Sequence, residues 1–393
     1  MTPAARLQAA IDLLDEIIAA STGNGPAADT LIKRYFRTRR YAGSKDRRAV
    51  RDLVYAAIRR YGSAPENGRS AMVGLAQDEP ALRDLFDGSD YGPARLAGNE
   101  VGAPPSAIPP WLRANFSKTV DDADIASLSG RAPLDIRVNL GRTERDSVVA
   151  AIADAEPGAL SKSAIRLPAG YPIEQHSLWR DGDVDVQDEG SQHIVDCCAA
   201  EPGMTILDLC AGGGGKTLAL YDRIGGDGRL IASDTDRKRL ARLMPRAERC
   251  GMTGIETRLL DPGRESVMLT DLGDSADLVV IDAPCTGTGT WRRNPEARWR
   301  LTDGAIDRAA KTQSHLLETA ATLVKPGGFL VYIVCSLLAP EGEDQIAHFL
   351  QFRSDFSKVS PATAAIESGD GYMLTPARHE TDGFFFARLQ RSC

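Results

Sequence analysis

No run in this chain is long and apolar enough to cross a bilayer; the longest, such as Phe329–Val334, fall far short of the ~18–20 residues a spanning helix needs. The N-terminus lacks the basic segment, apolar stretch and small-residue cleavage site of a signal peptide. The expectation is a cytoplasmic protein with no membrane partner. Cysteines are present but not in useful pairs: the seven, at 197, 198, 210, 250, 285, 335 and 393, form no CxxC and meet no histidine in ligand register. That excludes a disulfide framework and a zinc site, leaves no metal expected, and points to reduced thiols. A basic excess is missing too. Lys+Arg total 47 against 54 Asp+Glu, a net charge of −7 and a pI near 5.4. Any contact with nucleic acid must therefore rest on local patches. Internal repeats and low-complexity tails are absent, and no obligate protein partner is implied.

What is present suits a globular protein. At 393 residues, with 42% hydrophobic and 26% charged, the chain can bury a sizeable core in two to four domains. Residues 1–65 carry helical stripes, Leu7-Ile11-Leu14-Ile18 and Val50-Val54-Ala57-Tyr61. Between and within them runs a basic stretch from Lys33 and Arg34 through Arg37, Arg39, Arg40, Lys45, Arg47, Arg48 and Arg51 to Arg59 and Arg60, with Tyr35, Phe36, Tyr41 and Tyr55 interleaved. A solvated face over core aromatics and a phosphate-contacting surface both account for it. Residues 66–128 are weakly patterned; Ala103-Pro104-Pro105 and Pro109-Pro110 mark a connection, and Trp111, Leu112 and Phe116 suggest a short helix. Residues 131–186 read as a small α/β unit, with strands at Leu134–Leu140 and Ala164–Leu167 and a helix at Asp146–Ala155.

From Val186 onward, strand, loop and helix repeat. Thr205–Leu209, Leu230–Ser233, Leu278–Ile281 and Phe329–Val334 are apolar without polar alternation, as strands buried on both faces are. Helices at Arg237–Arg249 and Ala305–Val324 separate them. The expected fold class is α/β, with a Rossmann-like, doubly wound, mostly parallel sheet. In such a sheet, ligands bind beyond the carboxyl ends of the strands. Five apolar runs each deliver polar residues there: Asp208 and then Cys210-Ala211-Gly212-Gly213-Gly214-Gly215-Lys216; Asp234; Asp261; Asp282-Ala283-Pro284-Cys285; and Cys335-Ser336.

The glycine loop fails the Walker A pattern, because its first required glycine falls on Cys210. It fails GxGxxG as well. A nucleoside without a diphosphate fits what remains. Backbone amides at the helix start favour a carboxylate. Asp234 can accept both ribose hydroxyls, or else cap a helix. Asp261 can meet an adenine amino group. S-adenosyl-L-methionine meets these requirements.

Two thiols, Cys285 and Cys335, stand at the ends of neighbouring strand candidates. Cys197, Cys198 and Cys250 are better explained as small buried hydrophobes. Carbon 5 of a pyrimidine is a poor nucleophile, and adding a thiolate to carbon 6 makes it able to attack a methyl donor. Asp282 can hold or supply a proton at the ring nitrogen. A thiol of reference pKa ~8.5 needs a positive field or hydrogen bonds to act at neutral pH, and Arg292, Arg293 and Arg298 are candidates for that field.

These residues resemble the RNA cytosine-5 methyltransferases of the Nop/Sun type, in particular the RsmB-like branch acting on small-subunit (16S) ribosomal RNA. The resemblance rests on Cys210–Lys216, on Asp282-Ala283-Pro284-Cys285-Thr286-Gly287-Thr288-Gly289-Thr290-Trp291-Arg292-Arg293-Asn294-Pro295, on Val334-Cys335-Ser336 followed by Glu341-Gly342-Glu343-Asp344, on Val186–Gln192 and on Asp382–Arg388. Ile136-Arg137-Val138-Asn139 extends it to the small unit, and Asp46-Arg47-Arg48 and Leu53-Val54-Tyr55 extend it to a NusB-like helical region. The resemblance implies a class I methyltransferase domain at 186–393, an RNA-binding module at 129–185 and a NusB-like helical domain with its connection at 1–128. It implies that Cys335 is the nucleophile, that Cys285 assists product release, and that residues 210–216, Asp234, Asp261 and Asp282 bind S-adenosyl-L-methionine. The implied partner is RNA. Gly212, Gly213 and Val334 depart from the family's Ala, Pro and Thr. Transfer RNA remains an alternative substrate. A DNA cytosine-5 methyltransferase would use Pro284-Cys285 instead, and a non-catalytic assembly factor would need neither thiol.

Overall fold

The computed structural model describes residues 1–23 and 25–393. Packing groups them into two compact units. The first comprises Met1–Asn115, Ile125–Arg131 and Thr290–Thr302; the second comprises Phe116–Asp124, Ala132–Gly289 and Asp303–Cys393.

The first unit is helical. Helix α1 (Pro3–Ser21) starts where the Thr2 hydroxyl accepts the Ala5 amide at 3.1 Å, with proline at the first helical position. Helices α2 (Ala28–Arg37), α3 (Ser44–Arg60) and α4 (Gly68–Asp78) follow. The apolar stripes meet in one core containing Leu7, Leu14, Ile17, Val50, Val54 and Ile58. Tyr35 and Phe36 belong to that core, whereas Tyr41 is exposed. Helix α4 carries no clean apolar stripe in sequence because it is buried nearly all round, from Ala71 to Ala76. Its Gly74 lies so close to Tyr61 that a Cβ would stand 2.2 Å from the phenol oxygen.

Thr290–Thr302, which follows the cysteine-bearing motif in sequence, packs within this helical unit. The Trp299 indole donates to Tyr61 O at 2.8 Å, and Arg300 donates to Ala20 O, Gly25 O and Pro26 O. Arg298 is buried and donates to Pro295 O, Ala107 O and Leu128 O at 3.0, 2.7 and 3.0 Å.

The second unit holds two sheets. In the smaller, β1 (Leu134–Val138), β2 (Glu156–Pro157), β3 (Ala164–Leu167) and β4 (Val184–Val186) pair antiparallel in the order β2-β3-β1-β4. Ile136, Val138, Val148, Ile165 and Val184 form its core.

The larger sheet contains β5 (Thr205–Asp208), β6 (Arg229–Asp234), β7 (Glu256–Leu259), β8 (Ala276–Asp282), β9 (Val324–Val334), β10 (Phe356–Lys358), β11 (Ile366–Ser368), β12 (Gly371–Leu374) and β13 (Phe384–Arg391). Its order is β11-β12-β13-β9-β8-β5-β6-β7, with β10 on β13. The run from β9 to β7 is parallel throughout, and the pairings of β13, β12, β11 and β10 are antiparallel. The parallel expectation thus holds from β9 to β7, where β5, β6, β8 and β9 are largely apolar and buried and the edge strand β7 is not. The helix expected over Arg237–Arg249 is two, Arg237–Leu240 and Leu243–Arg249. The chain runs β5-β6-β7 to one side and then returns to β8 and β9 on the other. The switch point lies between β5 and β8, where a ligand crevice is expected.

Candidate functional site

Parallel register brings the strand ends level. Asp208 pairs across from Val280 and Ala232, Asp234 from Leu259, and Asp282 from Ile333. The polar residues that follow these runs therefore share one edge of the sheet.

After β5 the chain turns through the glycine loop. Gly212 and Gly214 take φ of +55° and +84°, which side-chain-bearing residues rarely adopt. The loop is tied down at several points. The Gly212 amide donates to Asp234 Oδ2 at 2.7 Å, Gly214 N–H donates to Ala211 O at 2.9 Å, and Arg246 donates to Gly213 O at 2.5 Å. Helix Gly215–Ile224 starts with no side-chain cap and no acid in its first turn, so its first amides are placed to meet an anion. Cys210 precedes the loop, and burial pushes its thiol well above the ordinary range.

Asp234 sits at the end of β6 and is nearly buried. Each carboxylate oxygen accepts one amide, from Gly212 and from Asp236, both at 2.7 Å, so each keeps a lone pair. The helix-capping role falls to Asp236, which accepts the amides of Lys238 and Arg239. Asp261 lies past the end of β7 with its side chain 64% exposed, 4.0 Å from Arg264.

Asp208 and Lys216 are both buried. The Thr217 hydroxyl donates to Asp208 Oδ2 at 2.6 Å, and Oδ1 has no hydrogen-bond partner among the described residues. Burial pushes the Asp208 carboxyl up to about 7. Sequence reasoning placed Asp208 at a strand end and gave it no role; its isolation depends on packing from other strands. Lys216 donates to Asp282 Oδ2 at 2.8 Å and lies 5.6 Å from the centre of the Phe384 ring. Burial works against its charge, but Asp282, Cys335 and Asp208 outweigh it, and the Lys216 pKa is raised.

The two thiols come together. Cys285 Sγ and Cys335 Sγ stand 3.3 Å apart, at the ends of β8 and β9. Its hydrogen bond with Cys335 and its burial push the Cys285 thiol well above its ordinary range. Cys197 and Cys198 are buried, and burial raises both, Cys197 to about 11. Burial raises Cys250 likewise. These three are the inert hydrophobes the sequence suggested.

Of the arginines expected to supply a positive field beside the thiols, Arg298 is engaged elsewhere. Arg298 spends its donors on three backbone carbonyls within the helical unit, and burial lowers its pKa to about 10. Arg292 and Arg293 also belong to that unit. Within the second unit, Lys216 is near enough to Cys335 for a charge on that sulfur to contribute to the raised Lys216 pKa.

The family model described as 16S rRNA methyltransferase RsmB/F matches residues 195–390. The probable ribosomal RNA small subunit methyltransferase B of Synechocystis sp. is 32% identical over 364 residues, covering 86% of this chain and 74% of that protein. The ribosomal RNA small subunit methyltransferase B of Citrobacter koseri is 33% identical over 288 residues, covering 72% of this chain and 66% of the relative. Among solved structures, a methyltransferase homologue from Pyrococcus horikoshii aligns at 25% identity and TM-score 0.60, over 68% of this chain and 90% of that one. NSun6 from Pyrococcus horikoshii, solved with SFG, shares the fold at TM-score 0.64 and 17% identity, over 72% and 97%.

Proposed function

Because the chain belongs to the 16S rRNA methyltransferase RsmB/F family, we propose that it methylates carbon 5 of a cytosine in small-subunit ribosomal RNA through a covalent adduct on Cys335. Membership makes it an S-adenosylmethionine-dependent RNA methyltransferase. The cytosine-5 chemistry rests on one observation above all: two thiols 3.3 Å apart at adjacent strand ends. Methylation of an already nucleophilic ring nitrogen needs no thiol, whereas carbon 5 must first be activated.

The residues at the edge suit the methyl donor. The uncapped helix start at Gly215 offers amides to a carboxylate, and Asp234 has a free lone pair on each oxygen for ribose hydroxyls. Asp261, past the end of β7 with an exposed carboxylate, would accept from the adenine amino group. The cofactor, when bound, supplies an electrophilic methyl group. Cys335, as thiolate beside the Lys216 ammonium, adds to carbon 6 of the cytosine and moves electron density to carbon 5. The ring nitrogen takes up a proton from water as the adduct forms, and Asp282, ionised in its pair with Lys216, accepts a hydrogen bond from that N–H. After methylation, carbon 5 gives up its proton to water, the ring double bond re-forms and the bond from Cys335 to carbon 6 breaks, its electrons returning to sulfur. Cys285, whose thiol stays protonated at neutral pH, faces the reacting sulfur and assists this release. Residues 129–185 contribute RNA contacts from the small sheet.

The test separates the thiols. Cys335→Ala is expected to give neither product nor covalent complex. Cys285→Ala is expected to trap RNA on the protein as a slow band on a denaturing gel when S-adenosylmethionine is present. The reverse pattern would assign attack to Cys285. Bisulfite mapping of ribosomal and transfer RNA, with and without the gene, identifies the RNA.

A further inference from the structure

We infer that Glu341 is a positioning residue for this reaction: its carboxylate ties the two cysteine loops together and sets where the thiols stand. The inference rests on the reading of Cys285 and Cys335 as the reacting pair. Glu341 ends the short helix Ala339–Glu341 and is fully buried. Its Oε1 accepts the Thr286 amide at 2.8 Å and Gln313 Nε2 at 3.2 Å. Its Oε2 accepts the hydroxyls of Thr286 and Ser336, each at 2.5 Å. Thr286 follows Cys285 and Ser336 follows Cys335. One carboxylate thus holds the neighbour of each thiol, on loops 50 residues apart in sequence.

The chemistry calls for an acid at this place. Four donors converge on one side chain, and an ionised carboxylate is the group whose two oxygens accept all of them while offering no competing hydrogen. The donors are neutral, so the charge stays on the carboxylate. It faces Cys285, whose thiol is pushed up by its bond to Cys335, by burial and then by the fields of Cys335 and Glu341. The surrounding bonds serve the same frame. Gln313 also donates to Pro284 O at 2.9 Å, immediately before Cys285. Tyr332 Oη donates to Glu341 O at 2.6 Å and fixes the backbone of the clamp. Across the two loops, the Gly289 amide donates to Cys335 O at 3.0 Å.

Glu341→Gln keeps the shape, removes the charge and turns one acceptor into a donor facing donors. A displacement of about 1 Å at a reacting group can cost about a hundredfold in rate. The expected result is a kcat lower by about that factor, with KM for small-subunit ribosomal RNA and for S-adenosylmethionine within about twofold of wild type. In RNA-free protein, the pH at which iodoacetamide half-labels Cys285, followed by mass spectrometry, should move down. Unchanged kcat and an unchanged labelling profile in folded protein would overturn the inference. So would a loss of kcat and cofactor binding together in proportion to the folded fraction, which a purely structural acid gives. Ser336→Ala removes one of the four bonds to Glu341, together with the Ser336 bonds to Thr288 Oγ1 and the Leu338 amide, and leaves the Glu341 charge in place, which guards against misfolding of the first variant: kcat should fall about tenfold with both KM values held, and an unchanged kcat again overturns the inference. Failure of the thiol reading itself shows separately, as retained methyl transfer in Cys335→Ala.

Discussion

In the helical unit the deepest arginine, Arg298, ends its hydrogen bonds on backbone carbonyls; at the strand ends of the catalytic unit the buried groups are mainly acids, and the bonds they accept begin at loop amides and hydroxyls. The difference separates two uses of buried charge. A guanidinium bonded to three carbonyls braces the chain segments that carry them. A carboxylate that accepts loop amides holds the loop and keeps negative charge where a ligand arrives. The first use shows up as stability. The second shows up as pH dependence, binding and rate.

The largest effect should come from the brace. Arg298→Ala leaves Pro295 O, Ala107 O and Leu128 O without their donor, each orphaned group costing about 1–3 kcal/mol. Removing a buried charge returns part of this, so a net loss of roughly 3–5 kcal/mol is expected in urea unfolding followed by far-UV circular dichroism. A loss below about 1 kcal/mol would show that the carbonyls find other donors and that the contrast between the units is weaker than drawn.

Asp208 tests the other side with the opposite sign. Its carboxyl is pushed up to about 7 in the folded chain, against ~3.9 in an unfolded one. Between these values the unfolded state holds fewer protons, so stability falls as pH rises from about 4 to about 7 and stays reduced above. Asn cannot ionise and keeps an acceptor for the Thr217 hydroxyl. The gain of Asp208→Asn over wild type should be small near pH 4 and grow to about 4 kcal/mol near pH 8. A gain that does not change with pH would mean that the carboxylate is compensated in the folded protein.

A smaller effect is expected at Asp234. Hydrogen bonds to a charged acceptor are worth about 1.5–3 kcal/mol each, so Asp234→Ala should weaken S-adenosylmethionine binding at least about tenfold while the fold survives. Calorimetry giving an unchanged affinity would remove Asp234 from the cofactor site and leave it only its loop-holding bonds to Gly212 and Asp236.

The sequence made the strand-end acids visible because each follows an apolar run that must be buried on both faces, and the parallel register then aligns them. Asp208, Asp234, Asp282, Cys285 and Cys335 were legible for that reason. Glu341 was visible only as a letter in a motif, because its partners lie 5, 28 and 55 residues away and no local spacing announces them. Arg298 was misplaced for a related reason: it follows the cysteine motif in sequence, yet its contacts belong to the helical unit. Helix α4 was missed because a helix buried on most sides, with glycines at its tightest contacts, shows no amphipathic period.

The smallest effect distinguishes exposed charge from both buried kinds. Within the basic run, Arg34 pairs with Glu16, Arg51 with Asp29 and Arg60 with Asp78, so these cations are already engaged. Arg37 and Arg40 are exposed, and Arg39 stacks 3.6 Å over the buried Tyr35 ring, which holds its guanidinium at the surface edge of α2. A chain of net charge −7 repels phosphate at long range, so such a patch is where attraction must come from. If all three contact phosphates, replacing Arg37, Arg39 and Arg40 with Ala removes about three counterion-releasing contacts. The slope of log K against log salt for ribosomal RNA should then flatten by about 2, and affinity at low salt should fall, while kcat at saturating RNA stays near wild type. An unchanged slope would make the run a solvated face.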